Sequence, residues 1–206
     1  MFDPPRQRHR LGIFDWVIPE DASSTGSSAD NSPIPGLLVI HLRRGDFETH
    51  CRHFAKWSSS FNGFNAFSSF PDQFSPPPLP PLGRENTSEE IFQIYQNHCY
   101  PTVQTIVERV RKVRADAQAV GGGLRRLYIM TNAKRDWLHH LKLAFTTNDE
   151  GGDGDDEWDL VATSRDLELD WEQGYVSQGL DMYVAVRAQV FIGNGVSGRC
   201  VGNTDY

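Results

Sequence analysis

Four short apolar runs constrain this chain more than any other feature: Leu37-Leu38-Val39-Ile40, Leu127-Tyr128-Ile129-Met130, Trp158-Asp159-Leu160-Val161-Ala162 and Val190-Phe191-Ile192. Each is too short for a buried helix and lacks the polar alternation of a half-exposed strand, so each has the form of a strand covered on both faces. Helical patterns separate them. Thr87-Ser88-Glu89-Glu90 marks a helix start, with Ile91, Phe92, Ile94 and Tyr95 as its apolar surface. Pro101 suits a first helical turn, Val103, Ile106, Val107, Val110, Val113 and Ala117 recur at three- and four-residue spacing, and Gly121-Gly122-Gly123 stops that run. Trp137, Leu138, Leu141 and Leu143 predict a further helix, and Gln173 to Ala188 another. The order β-α-β-α-β-α-β predicts an α/β fold, a Rossmann-like parallel sheet with helices on both faces.

The remaining segments read as appendages to that sheet. Ser23 to Pro35 is polar and punctuated by Gly and Pro, which predicts that residues 1–35 are an N-terminal remnant and linker ahead of a lobe over 36–206. Residues 58–86 carry Phe61, Phe64, Phe67, Phe70 and Phe74 among Ser, Asn and Gly, then Pro76-Pro77-Pro78, and predict an inserted surface loop whose phenylalanines pack on the domain. Asn148 to Glu157 reads as an acidic, Gly-rich loop, and its literal D-x-D, Asp153-Gly154-Asp155, as solvated surface rather than a metal site, because no strand precedes and fixes it. His139-His140 has no metal-ligand spacing.

Charge and targeting signals narrow the function classes. In 206 residues, 20 Lys and Arg stand against 27 Asp and Glu, a net charge of −7 that argues against a nucleic-acid binder held by phosphate neutralisation. No stretch approaches the roughly 18 consecutive apolar residues of a membrane span, and no apolar core follows the basic N-terminal residues as a signal peptide requires. The three cysteines, Cys51, Cys99 and Cys200, contain no C-x-x-C pair; three buried thiols and one disulfide with one cysteine left over stand as equal readings.

Ligands of parallel sheets bind at the carboxyl ends of the strands, and two of those ends are unusual here. His41-Leu42-Arg43-Arg44-Gly45-Asp46-Phe47 brings an imidazole and two guanidinium groups to the mouth of the first strand, an anion site by chemistry, since arginine pairs oxyanions through a planar fork. One of those arginines can equally pair with Asp46. Gly193-Asn194-Gly195-Val196-Ser197-Gly198 has the G-x-G-x-x-G form directly after a strand, but too few residues follow for the helix and distal acid of a dinucleotide site. A Gly-rich turn that offers backbone N–H groups to a phosphate, or a plain turn, remains.

The stretch from His41 to Phe47 resembles the H-x-R-R-G-D-F motif of the GDP-fucose-dependent protein O-fucosyltransferase family, particularly its fungal members. Asn97-His98-Cys99-Tyr100-Pro101, Leu127 to Asn132, Ser164-Arg165-Asp166-Leu167, and Asp181-Met182 followed by Ala188 to Gly195 resemble later blocks of that family in the same order. The resemblance implies one lobe of a GT-B glycosyltransferase, the C-terminal lobe that binds the donor, transferring fucose from GDP-fucose to a hydroxyl of a protein or glycan acceptor without a cofactor or an obligatory metal. It implies that His41 contacts the nucleotide, that Arg43 is catalytic by gripping the diphosphate as the fucosyl bond breaks, that Arg44 joins the donor site, that Asp181 accepts hydrogen bonds from the guanine edge, and that Ser197 binds phosphate. Asp46, Gly193 and Gly195 would be structural near the site.

The chain departs from the family pattern after Ser197, where Gly198-Arg199-Cys200 stands in place of a second hydroxyl residue and an apolar one. The resemblance further implies that an acceptor-binding N-terminal lobe and a C-terminal helix lie outside this chain, so that catalysis by this chain alone is not expected; a non-catalytic nucleotide-binding module or an inactive fragment is the alternative. It implies a Cys51–Cys99 disulfide, as in a secretory-pathway enzyme, with an endoplasmic reticulum or Golgi location if a preceding segment carries targeting.

Overall fold

The computed structural model describes residues 32–45, 47–61, 68, 73–78, 81, 88–146, 157–193 and 200–201. Its frame is a five-stranded sheet of β1 (Ile34–Leu42), β2 (Arg126–Thr131), β3 (Leu160–Thr163), β4 (Ala188–Gly193) and β5 (Cys200–Val201), in the spatial order β3-β2-β1-β4-β5. The first four strands are mutually parallel, while β5 runs antiparallel on β4. Helices α1 (Phe47–Lys56), α2 (Glu89–Cys99) and α3 (Val103–Ala119) connect β1 to β2, and α4 (Arg135–Thr146) connects β2 to β3. A 3-10 turn at Ser164–Asp166, α5 (Trp171–Tyr175) and α6 (Ser177–Val186) connect β3 to β4.

The period-2 geometry of β1 divides the core between the two faces of the sheet. Leu38, Ile40 and Leu42 meet Ile106, Val107, Val110 and Val113 of α3 and Leu138, Leu141 and Phe145 of α4 on one face. Leu37 and Val39 meet Val184 of α6, with Tyr128 and Met130 of β2, on the other. Residues Leu37 to Ile40 are each at most 1 % exposed, so the continuous apolar run reflects burial from both sides. The expected α/β architecture, a parallel sheet with helices on both faces, is the architecture observed. No helix among the described residues is long and apolar enough to cross a membrane.

Several boundaries differ from the sequence expectation. β1 starts at Ile34, inside the segment read as linker: Ile34 is buried and its N–H donates to the Arg187 carbonyl, and the pairing with β4 is irregular across Pro35 and Gly36, where φ reaches +73°. Pro101 lies outside α3, whose N-cap is Thr102 with its hydroxyl on the Thr105 N–H. The single helix expected over Gln173 to Ala188 is two, because Val176 closes α5 by turning its N–H back to the Gln173 and Gly174 carbonyls before α6 begins. Arg187, expected within that helix, is the buried C-cap of α6 and donates to the Ser32 carbonyl.

Helix α1 was not apparent from the sequence, and it organises a third cluster beside the sheet. Cys51 and Ala55 of α1 pack with Phe92, Tyr95 and Cys99 of α2 and with Phe61 and Phe74 of the insertion. Cys51 and Cys99 are joined as a disulfide. Tyr95 donates its hydroxyl to the Ser59 carbonyl at 2.8 Å, and burial pushes its pKa up to about 12. Phe61 and Phe74 thus pack on the domain as expected of the insertion, while Phe64, Phe67 and Phe70 lie outside the described residues, as does the acidic loop up to Glu157 with its D-x-D.

Candidate functional site

Strand order fixes where a ligand crevice can form. From β1 the chain moves outward to β2 and β3, then returns to the opposite side of β1 with β4, so the order reverses between β1 and β4. At such a reversal the connections leave in opposite directions and open a crevice at the carboxyl ends of the two strands. His41 of β1 and Gly193 of β4 are register partners at that point. Gly193 is therefore where the sequence placed it, while Gly195, Ser197 and Asp46 lie outside the described residues.

His41 shares its sheet face with Leu37 and Val39, the face covered by α6. Burial lowers its pKa from the usual value, the carboxylate of Asp181 on α6 opposes that shift, and the charge of Arg43 adds to it. The imidazole is consequently neutral near pH 7, with one nitrogen donating and one accepting. Arg43, just beyond β1, is exposed, with its guanidinium 6.0 Å from the centre of the Phe47 ring. His41, Arg43, Asp181 and Gly193 are the sequence-derived residues that the fold gathers at the reversal point.

Asp181 is tied to the sheet by hydroxyl groups. Tyr128 donates to Oδ1 at 2.7 Å and Ser164 to Oδ2 at 2.8 Å, while Ser164 Oγ accepts the Thr131 N–H at 3.1 Å. Tyr128 is almost wholly buried, and burial together with its bond to Asp181 raises its pKa far above the ordinary phenol range. A carboxylate offers about four lone-pair sites, so two hydroxyl donors orient Asp181 without exhausting it. Tyr128 and Ser164 both lie in sequence blocks noted for the family resemblance, yet nothing in their spacing shows that they meet one carboxylate.

Arg44, expected beside Arg43 in the anion site, is built into the wall instead. Its guanidinium lies 3.8 Å from the Tyr100 ring centre and 4.1 Å from that of Trp137, and it donates to the Pro101 carbonyl. Desolvation lowers its pKa, and the Tyr100 side chain opposes that shift. A planar, weakly hydrated cation is suited to a sandwich between two rings, and a lysine is not.

The loop that carries Arg43 is held by the last residue of β2 and the one after it. Thr131 donates its hydroxyl to the Leu42 carbonyl at 2.6 Å, and the Asn132 side chain accepts the Arg44 N–H at 2.8 Å. At Gly45, with φ +22°, an added Cβ would stand 2.5 Å from Asn132 Nδ2, so any side chain there displaces the clamp. Among the described residues no cluster of His, Cys, Asp and Glu is placed to hold a metal ion.

No family model matches this chain, and no curated protein sequence matches it. Among solved structures, POFUT1 in complex with GDP aligns with a TM-score of 0.43 at 16% identity, over 81% of this chain and 37% of that one. Apo-form POFUT1 aligns with a TM-score of 0.39 at 14% identity, over 80% and 36% respectively. The chain therefore spans little more than a third of the length of these solved chains, and neither likeness is close enough to assign a family.

The geometry separates the roles of the paired arginines. Arg44→Lys is expected to lower stability in urea denaturation by about 1–3 kcal/mol, the range of a desolvated cation–ring sandwich plus a charged hydrogen bond; an unchanged midpoint would contradict the structural role. A lowered histidine pKa also gives pH dependence a definite sign. Below the unfolded value of about 6.5 the unfolded chain binds a proton that native His41 resists, so His41 makes stability fall as pH drops from there towards its native pKa. His41→Gln is expected to flatten that slope in the same denaturation series, and an identical slope would count against it.

Proposed function

We propose that this chain is the donor-binding lobe of an inverting glycosyltransferase of the fungal GDP-fucose O-fucosyltransferase type, holding GDP-fucose at the reversal point between β1 and β4. The observation that carries this reading is the pairing of His41 with Gly193 at that reversal, with Arg43 immediately beyond. The motif from His41 to Phe47 supplies the donor identity by resemblance.

In this reading Arg43 is the catalytic residue. An acceptor hydroxyl oxygen attacks the anomeric carbon of fucose, the bond from that carbon to the diphosphate breaks, and GDP leaves with the electron pair. Arg43 stabilises the charge that develops on the leaving diphosphate, an electrostatic contribution that grows toward the transition state. Neutral His41 donates one N–H to the nucleotide, Asp181 accepts from the guanine edge with its remaining lone pairs, and Ser197 binds phosphate. Gly193 and Gly195 admit the diphosphate to the backbone, and no cofactor or obligatory metal takes part.

The acceptor, a protein or a glycan, and the base that takes its proton belong to a second lobe facing this one. Orienting two substrates can lower a barrier by about 7–11 kcal/mol, so this lobe alone is expected to bind donor without appreciable turnover. The Cys51–Cys99 disulfide suits an oxidising compartment such as the endoplasmic reticulum or Golgi.

Calorimetric titration tests the reading. GDP is expected to bind in preference to ADP and NAD, and Arg43→Ala to weaken GDP by about 1.5–3 kcal/mol, the range for a hydrogen bond to a charged group, with the melting temperature unchanged because Arg43 is exposed. Equal affinity of wild type and variant would remove Arg43 from the site.

A further inference from the structure

The geometry points to a second anion site, a groove between α4 and the 3-10 turn after β3 that takes a single phosphate or sulfate group. The groove encloses about 180 Å³. One wall carries Arg135, His139 and Lys142, which recur at helical spacing along one face of α4, and the other carries Thr163, Arg165 and Asp166.

The electrostatics of these walls favour an anion. Among the described residues Asp166 is the one acid of the groove, and its Oδ2 already accepts from the Thr163 N–H at 2.8 Å, the Thr163 hydroxyl at 3.0 Å and Lys142 Nζ. Lys142 and Asp166 offset one another. Arg135 makes no hydrogen bond or ion pair among the described residues, and Arg165 commits one donor to the Asn132 carbonyl at 3.4 Å. Two guanidinium groups without a carboxylate partner among the described residues therefore face a common cavity on a chain whose net charge is −7. A fork of guanidinium donors matches the oxygen geometry of a tetrahedral oxyanion, and neutral ligands do not satisfy it.

This site does not depend on the donor reading. His41 lies on the α6 face of the sheet, whereas α4 covers the opposite face. β3 stands two strands from β1, about 10 Å at the usual spacing.

Two-dimensional amide NMR of the full chain, titrated with inorganic phosphate at ionic strength fixed by chloride, provides the test. Saturable shifts are expected at Arg135, His139, Thr163 and Arg165, equally in wild type and in Arg43→Ala and whether or not His41 and Gly193 also respond. Arg135→Gln with Arg165→Gln is expected to weaken binding at least tenfold with an unchanged melting temperature, since both side chains are exposed. Arg135→Gln alone serves as the second variant, because that side chain has no partner among the described residues to lose. Groove shifts that do not saturate or that persist unchanged in the variants, or shifts at His41 with none at the groove, would overturn the proposal. Phenyl phosphate and phenyl sulfate distinguish the two ester sources. Arg43→Ala separates the two sites: it is expected to leave phosphate affinity intact while GDP affinity falls, so either site can fail without the other.

Discussion

Everything in this fold hangs on β1, a strand hydrogen-bonded on both edges and covered on both faces. Its neighbours β2 and β4 are parallel to it, and four consecutive side chains, Leu37 to Ile40, are almost completely removed from water. Each such side chain contributes about 1.5–3 kcal/mol on burial, and the backbone groups between them find partners in both neighbouring strands. Because β1 is central, the chain must leave its carboxyl end and return on the other side. That topological requirement sets the reversal point at which His41 and Gly193 are register partners, the place where parallel sheets of this kind bind ligands.

The same constraint explains why two adjacent arginines have different fates. Past Leu42 the chain escapes the sheet under two restraints, Thr131 on the Leu42 carbonyl and Asn132 on the Arg44 N–H. Arg44 is drawn between Tyr100 and Trp137 and joins the start of α3 to α4, while Arg43 stays exposed beside the crevice. A structural role and an exposed position are thus divided between neighbours in sequence. On the α6 side, Tyr128 and Ser164 fix the Asp181 carboxylate near His41, so the crevice carries an oriented acid and a neutral imidazole before any ligand arrives.

β1 and β2 were legible because a strand buried on both faces must be apolar throughout, the half-buried β3 and β4 because each still centres on a short apolar run, and the glycine stop of α3 because Gly121 adopts φ +82°. Helix α1 was not legible because Phe47, Cys51, Phe54 and Ala55 are its only apolar residues at helical spacing among six polar ones, a stripe too thin to mark a helix. The break at Val176 is made by backbone bonds that no side-chain pattern announces, and the short β5 has too few residues to carry a pattern. Among candidate site residues, the placing of His41 and Arg43 at the carboxyl end of a central strand was legible. The engagement of Arg44 and the anchoring of Asp181 depend on partners between 17 and 93 residues away in sequence, which spacing alone does not bring together.

The most direct test of the central claim, that the reversal between β1 and β4 is a guanine-nucleotide site, is to map GDP onto the chain by amide NMR. The account predicts saturable shifts centred on His41, Arg43, Asp181 and Gly193, with the α3 and α4 helices unmoved. Shifts centred elsewhere on the folded chain, or none at all, would contradict it.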